Sequence, residues 1–250
     1  MKSKIFLPVL IGLVLMAAAV ITATTGLGSR KQKTTPEKSL ATETLDIDGS
    51  VKAYAREAKA RGLQRIVIPA PSMTYDGAMA GLDEAMLDHS VVVAQPIESR
   101  SLITGSDLIS TWYKFRITDT LSKKKPSPSK CKECAPPAPP DEMLPLKKDE
   151  ILIPRVGGMV IVEGVEVTML SPQSPEYKMN QDYLLLLSET TPQVSNVRAG
   201  SLGALLVKAD GTLQSIDKES NPIHEDLKSR FKNSVHELKA HLKQEDAPDK

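Results

Sequence analysis

A run of 24 residues without a charged side chain, Ile5 to Gly28, constrains this chain most, because so long an apolar stretch does not join an ordinary globular core. Lys2 and Lys4 precede it, and Arg30 and Lys31 follow. As a helix it would span about 36 Å at about 1.5 Å per residue, enough to cross a hydrocarbon layer of about 30 Å. The basic start and the densely apolar part, Ile5 to Val20, equally fit a secretory signal. Ala17 to Ala19 and Ala23 suit a signal peptidase, although no A-x-A stands where the apolar part stops. No cysteine follows directly, which excludes a lipoprotein anchor. Residues 1–28 are therefore expected to be a signal peptide or a single transmembrane anchor, with residues 5–28 as the membrane contact if uncleaved. The rest of the chain is expected outside the cytoplasm, tethered by its N-terminus or secreted or periplasmic after cleavage. Long domains cross a membrane largely regardless of flanking charge.

The remaining residues must then fold without help from that segment. Of the 32 basic side chains only Lys2 and Lys4 precede residue 29, leaving 30 against 31 acidic ones. This balance, with no basic stripe, argues against a nucleic-acid partner. Aromatic residues are few, with one Trp, five Tyr and three Phe, so a core must rest on Val, Ile and Leu. Two cysteines allow at most one internal disulfide, which excludes a disulfide scaffold.

Residues 29–49 are polar and lack apolar periodicity, as expected of a flexible tether. Ser50 to Arg61 has helical spacing, with Val51, Tyr54, Ala55 and Ala58 on one face and Gly62 as a stop. Gln64 to Ile68 reads as a strand, and Leu82 to Asp88 as a short helix. From Ser90 the period becomes two. Strands are expected from Ser90 to about Pro96, over Thr111 to Leu121, over Glu150 to Pro154, and in two arms of Met159 to Leu170 turned at Glu163-Gly164. Tyr183 to Leu187 reads as a strand buried on both faces. Leu202 to Val207 and Leu213 to Ile216 flank Ala209-Asp210-Gly211, a hairpin signal. Residues 123–146 hold seven prolines and both cysteines and read as a long exposed loop of polyproline character. Asn221-Pro222 opens one amphipathic helix over residues 221–243, striped by Ile223, Leu227, Phe231, Val235, Leu238 and Leu242, with residues 244–250 as a disordered tail. That stripe either packs on the barrel or docks a partner or a membrane surface.

The motifs that resemble chemistry fail on geometry. In Cys131-Lys-Glu-Cys134 the following Ala135-Pro136-Pro137 prevents the helix N-terminus that stabilises a redox thiolate. A c-type haem needs histidine where Ala135 stands, and a zinc site needs two further ligands at a suitable spacing. Cys131 and Cys134 therefore read as a local disulfide or two free thiols, with a redox or metal role in trans as the alternative. His236 and His241 imitate a zincin pair but are five apart, which turns them about 140° from each other on a helix. Gly157-Gly158 lacks the following helix and lysine of a phosphate-binding loop. Asp83, Glu84 and Asp88 read as a solvated helix face, and no G-x-S-x-G elbow occurs. No catalytic, cofactor-binding or metal-ligating residue is expected. The partner contacts expected are Pro136, Pro137, Pro139 and Pro140 of the loop, with Trp112.

One arrangement does look familiar. Ala85-Met-Leu-Asp-His-Ser90 leads into Val91-Val-Val-Ala94, then Thr111-Trp-Tyr-Lys-Phe-Arg-Ile117, Ile151-Leu-Ile-Pro-Arg-Val-Gly-Gly158 and Gln181-Asp-Tyr-Leu-Leu-Leu-Leu187. Over about 100 of 250 residues this resembles a family of uncharacterised secreted or membrane-anchored bacterial domains. Their layout is similar to small OB-like barrels of the netrin and tissue-inhibitor type. The resemblance lies in packing residues, lacks the netrin disulfides and implies no catalytic group. It implies a mainly β chain with flanking helices (α+β), built as a small antiparallel OB-like barrel over residues 50–220. Several short strands separated by turn signals lead independently to the same closed or nearly closed barrel. The functional expectation is a non-enzymatic extracytoplasmic domain binding a protein or envelope component, with thiol-redox or metal handling by Cys131 and Cys134 as the alternative.

Overall fold

The computed structural model describes residues 49–71, 81–87, 89–123, 138–171, 174, 176–189, 194–197, 200–216 and 221–245. The expected N-terminal helix, most of the tether and the tail from residue 246 lie outside the described residues. Contacts divide the chain into Met1–Ser39 and Leu40–Lys250, and every described residue belongs to the second unit. Among the described residues no helix is long and apolar enough to cross a membrane.

Helix α1 (Val51–Ala60) begins where the Ser50 hydroxyl accepts a hydrogen bond from the Ala53 amide at 3.2 Å. It ends in a Schellman arrangement around Gly62, at φ 72°. There the Gly62 amide donates to the Lys59 carbonyl at 2.9 Å and the Leu63 amide to the Ala58 carbonyl at 2.8 Å. Strand β1 (Arg65–Pro69) follows, and later α2 (Leu82–Leu87). Two long strands, β2 (Ser90–Thr104) and β3 (Leu108–Ser122), form the central hairpin. Then come β4 (Glu150–Val156), β5 (Gly158–Val162), β6 (Val165–Leu170), β7 (Tyr183–Glu189) and β8 (Ser195–Val197). The hairpin β9 (Ala204–Val207) and β10 (Leu213–Ser215) leads to α3 (Pro222–Phe231) and α4 (Val235–Glu245).

The fold is mainly β with flanking helices, as expected, but the strands form two sheets and do not close into a barrel. The larger sheet runs β10-β9-β7-β2-β3-β4, with β8 also paired to β7. The smaller runs β1-β6-β5, and its β1–β6 pair is parallel. Leu152 of β4 makes an isolated bridge to Val194, just before β8, but no ladder develops there. Two features oppose closure: β8 has only three residues, and the chain leaves the large sheet after Val156 to enter the small one.

The β2–β3 hairpin ties the two sheets together. Its base lies in the large sheet, where Val91, Val93, Leu184, Leu186 and Leu205 face α2, α3 and α4. On the opposite face Val92, Phe115, Tyr113, Tyr183 and Leu185 close over Tyr177. The Tyr177 ring meets Tyr113, Phe115 and Tyr183 edge-on, at 5.1, 5.0 and 5.2 Å between centroids. The hairpin's tip extends beyond the large sheet, and Ile109 packs with α1 and the inner face of the small sheet. At this junction Thr111 donates its hydroxyl proton to the Gly157 carbonyl at 2.6 Å, so the Ser101 hydroxyl, 2.8 Å away, must donate to Thr111. A Cβ on Gly158 would collide with Thr111 Oγ1, and the glycine's φ of 136° disfavours any side chain.

Three further expectations are corrected. Where one C-terminal helix was expected there are two, because Lys232 and Asn233 take left-handed conformations at φ 51° and 58°. The Asn233 side-chain amide holds that break open by donating to the Leu213 carbonyl. The α4 helix also runs to Glu245, past residue 243. The proline loop is not exposed throughout: its last part forms a 3-10 turn, Asp141–Met143, and buries Met143 against Trp112, Leu152 and Val194. Strand β2 continues through Pro96 to Thr104, with register shifts at Val91/Val92, Val93/Ala94 and Pro96/Glu98 that absorb the proline.

Replacing Thr111 by Val keeps the shape but strands the Gly157 carbonyl, and is expected to cost about 1–3 kcal/mol in urea unfolding. Gly158→Ala should cost more than T111V in the same assay; equal wild-type stability for both would contradict this junction. Tyr183 supplies a pH test. Its phenol is raised above 10.0, chiefly by burial, while the hydrogen bond from the Lys178 amide opposes the rise and Tyr113 and Glu176 add to it. A raised folded-state value means this contribution is complete below pH 10.0 and fades as pH climbs through the raised value. Tyr183→Phe should therefore lose less stability between pH 9 and 11 than the wild type does, on the order of a kcal/mol or less.

Candidate interaction surface

The small sheet is built from a period-two pattern with an unusual outer half. Glu163 and Gly164, at φ 50° and 86°, make the two-residue turn that folds β5 against β6. Alternation then sends Val162, Val165, Val167 and Met169 inward beside Ile66 and Ile68 of β1, where α1 and Ile109 cover them. The register places three rows across the outer face. Ile161 lies beside Glu166 and Arg65, Met159 beside Thr168 and Val67, and Leu170 beside Pro69.

On a one-sided sheet the outward positions are ordinarily polar. Here Ile161 is 74% exposed, Leu170 58% and Met159 48%. Single exposed apolar side chains are common on protein surfaces, but a contiguous group on one rigid sheet marks an interaction site. The charges nearby are compensated. Arg65 pairs with Glu166 at 3.4 Å, and Arg56 of α1 reaches Glu163 at 3.0 Å. The face therefore combines exposed apolar side chains with ion pairs that leave it without net charge.

The residues singled out from the sequence lie elsewhere. Cys131, Cys134, Pro136 and Pro137 lie outside the described residues. Pro139 and Pro140 are half-buried and lead into the 3-10 turn. Trp112 is corrected from a surface contact to a core residue: its side chain is fully buried and packs with Met143, and its indole N–H meets no acceptor among the described residues. The two helical histidines occupy different surroundings, as their spacing requires. The His236 ring lies against Gly211, and His241 lies 5.1 Å from the Phe231 ring. Asp83 pairs with Arg230 at 2.6 Å, so it links α2 to α3 and is not merely solvated. Asp226 supports the same contact by accepting a hydrogen bond from the Leu82 amide at 2.8 Å.

Among the described residues no three His, Cys, Asp or Glu side chains gather to hold a metal. A shallow cleft of about 430 Å³ is lined by Glu176, Tyr177, Lys178 and Ile216. Of these, the Tyr177 ring is already committed to three aromatic contacts. No protein-family model matches the chain, and no curated protein matches it.

The strands that carry the outer face were within reach of the sequence, but the face itself was not. The arms of Met159 to Leu170 were legible, and Met159 and Ile161 stand at the alternate positions that a solvated strand fills with polar residues. Which half faces outward was not legible, because Val160 and Val162 are equally apolar. If the outer side chains are kept apolar for contact, Ile161→Thr and Leu170→Thr should each change stability by about 0.5 kcal/mol or less. The inward Val167→Thr should cost about 1–3 kcal/mol in the same thermal or urea measurement.

Proposed function

We propose that this chain is a non-enzymatic extracytoplasmic domain, delivered by Ile5 to Gly28 and either tethered by that segment or released, that binds a protein or component of the cell envelope. The observation that carries this reading is the exposed apolar outer face of β1, β6 and β5, formed by Ile161, Met159 and Leu170. Burying such side chains elsewhere in the fold would have been favourable, at roughly 25 cal/mol per Å². Keeping them in water is understandable when another surface covers them in use.

The face suits binding more than catalysis. Its charged side chains are held in two ion pairs, and its backbone is fixed by sheet pairing on a helix-backed layer. An apolar surface of this kind takes apolar groups of another macromolecule or of an assembled envelope layer.

The test is made within cells. A protease site is inserted between residues 29 and 49, the envelope fraction is isolated, and the site is cut. Once cut, the wild-type domain is expected to leave the pellet slowly, held back by the outer face. The Ile161→Glu, Leu170→Glu double variant should be released by about tenfold or more, the loss of roughly 1.4 kcal/mol or more of contact. Equal release of both would remove the outer face as a binding surface. The pair Cys131→Ser, Cys134→Ser is expected to behave as the wild type; loss of retention there would favour the thiol-dependent reading.

A further inference from the structure

We infer that the outer face of the small sheet rests on the surface of the lipid bilayer to which the chain is tethered, with Ile161, Met159 and Leu170 inserted among the lipid headgroups. This deepens the proposal above and rests on its tethered form, in which Ile5 to Gly28 stays in the membrane. Three observations favour lipid over a protein partner.

The first is size. Three strands about 4.8 Å apart and about five residues long present roughly 250 Å² in projection. A stable protein interface needs roughly 800 Å² from each partner. The apolar face is too small to hold a free partner or a second copy by itself, but a bilayer contact need not hold the protein alone.

The second is the length of chain between the apolar segment and the domain. Residues 29–49 can extend at most about 70 Å. A surface confined that near the bilayer meets it at high effective concentration, so a weak contact is populated without new affinity.

The third is charge. Glu163 and Glu166 would be repelled by anionic lipids, but Arg56 and Arg65 pair with them at 3.0 and 3.4 Å. The face is therefore neutral, and its exposed apolar side chains could enter a bilayer to the shallow depth of an interfacial contact. Attraction by lipid charge is not required. The contact is expected to form on zwitterionic lipid and to resist salt.

Methionine oxidation reads this in the unmodified full-length chain. Met159 is 48% exposed and Met179, on the loop before β7, is 37% exposed, so in water Met159 should react with chloramine-T at least as fast as Met179. The protein is reconstituted in phosphatidylcholine vesicles, floated on a density gradient, oxidised, and both sulfoxides are measured by mass spectrometry. The expected result is Met159 oxidation at roughly a third or less of the Met179 rate, unchanged by salt or by about tenfold dilution into lipid. The Ile161→Asp, Leu170→Asp variant should return Met159 to at least the Met179 rate. Comparable rates in the wild type would overturn the bilayer contact and leave the tethered reading standing. Protection that disappears on dilution into lipid would also overturn it, in favour of a second copy. Failure of the chain to float would overturn the contact and the membrane tether together.

Discussion

Two sheets in one chain need a reason to stay together, and here it is a hydroxyl group. Thr111 sits near the tip of the β2–β3 hairpin, accepts a hydrogen bond from the Ser101 hydroxyl and donates one to the carbonyl of Gly157. That carbonyl belongs to the short crossing between β4 and β5, where the backbone leaves one sheet and starts the next. The crossing is crowded enough that Gly158 has no room for a Cβ, and the Gly157 amide donates to the Ile109 carbonyl at 2.7 Å. On one side Ile109 is packed by α1 and the inner valines of the small sheet. On the other the hairpin broadens into the base that carries β7 and the C-terminal helices. A polar group buried at such a junction is costly unless paired, so the pairing specifies one crossing geometry.

Much of this was legible where local pattern and local chemistry agree. The β5–β6 turn needs left-handed residues and has Glu163-Gly164; the β9–β10 turn has Asp210-Gly211, with Asp210 accepting from the Thr212 amide at 2.9 Å. The α1 boundaries follow from Ser50 and Gly62, and the start of α3 from Asn221, whose side chain accepts from the His224 amide at 3.1 Å. The burial of Tyr183 to Leu187 on both faces also followed from its unbroken apolar run.

What escaped the sequence depends on groups distant in the chain. Asn233 breaks the C-terminal helix because the Leu213 carbonyl, 20 residues earlier, accepts its side-chain amide. Trp112 reads as a surface aromatic among polar neighbours until Met143 and Val194 arrive to cover it. The barrel was inferred from strand number and turn spacing, which do not reveal that β1 pairs in parallel with β6 and draws three strands into a sheet of their own. The outer face could not be assigned for a related reason: the small sheet must exist before it has two sides. Once it does, α1 takes one side, and Ile161, Met159 and Leu170 are left on the other.

The functional reading depends on rigidity at that face, since a surface that opened independently would present its apolar side chains only at the cost of ordering them. The central claim is that the Thr111 junction makes the two sheets one cooperative unit. Native-state hydrogen exchange tests this most directly. The account predicts that the amides of Val167 in β6 and Gly157 at the crossing open with the same free energy and denaturant dependence as Leu185 in β7. If the small-sheet amides exchanged through a separate opening of lower energy while Leu185 stayed protected, the two sheets would be independent and the account would be contradicted.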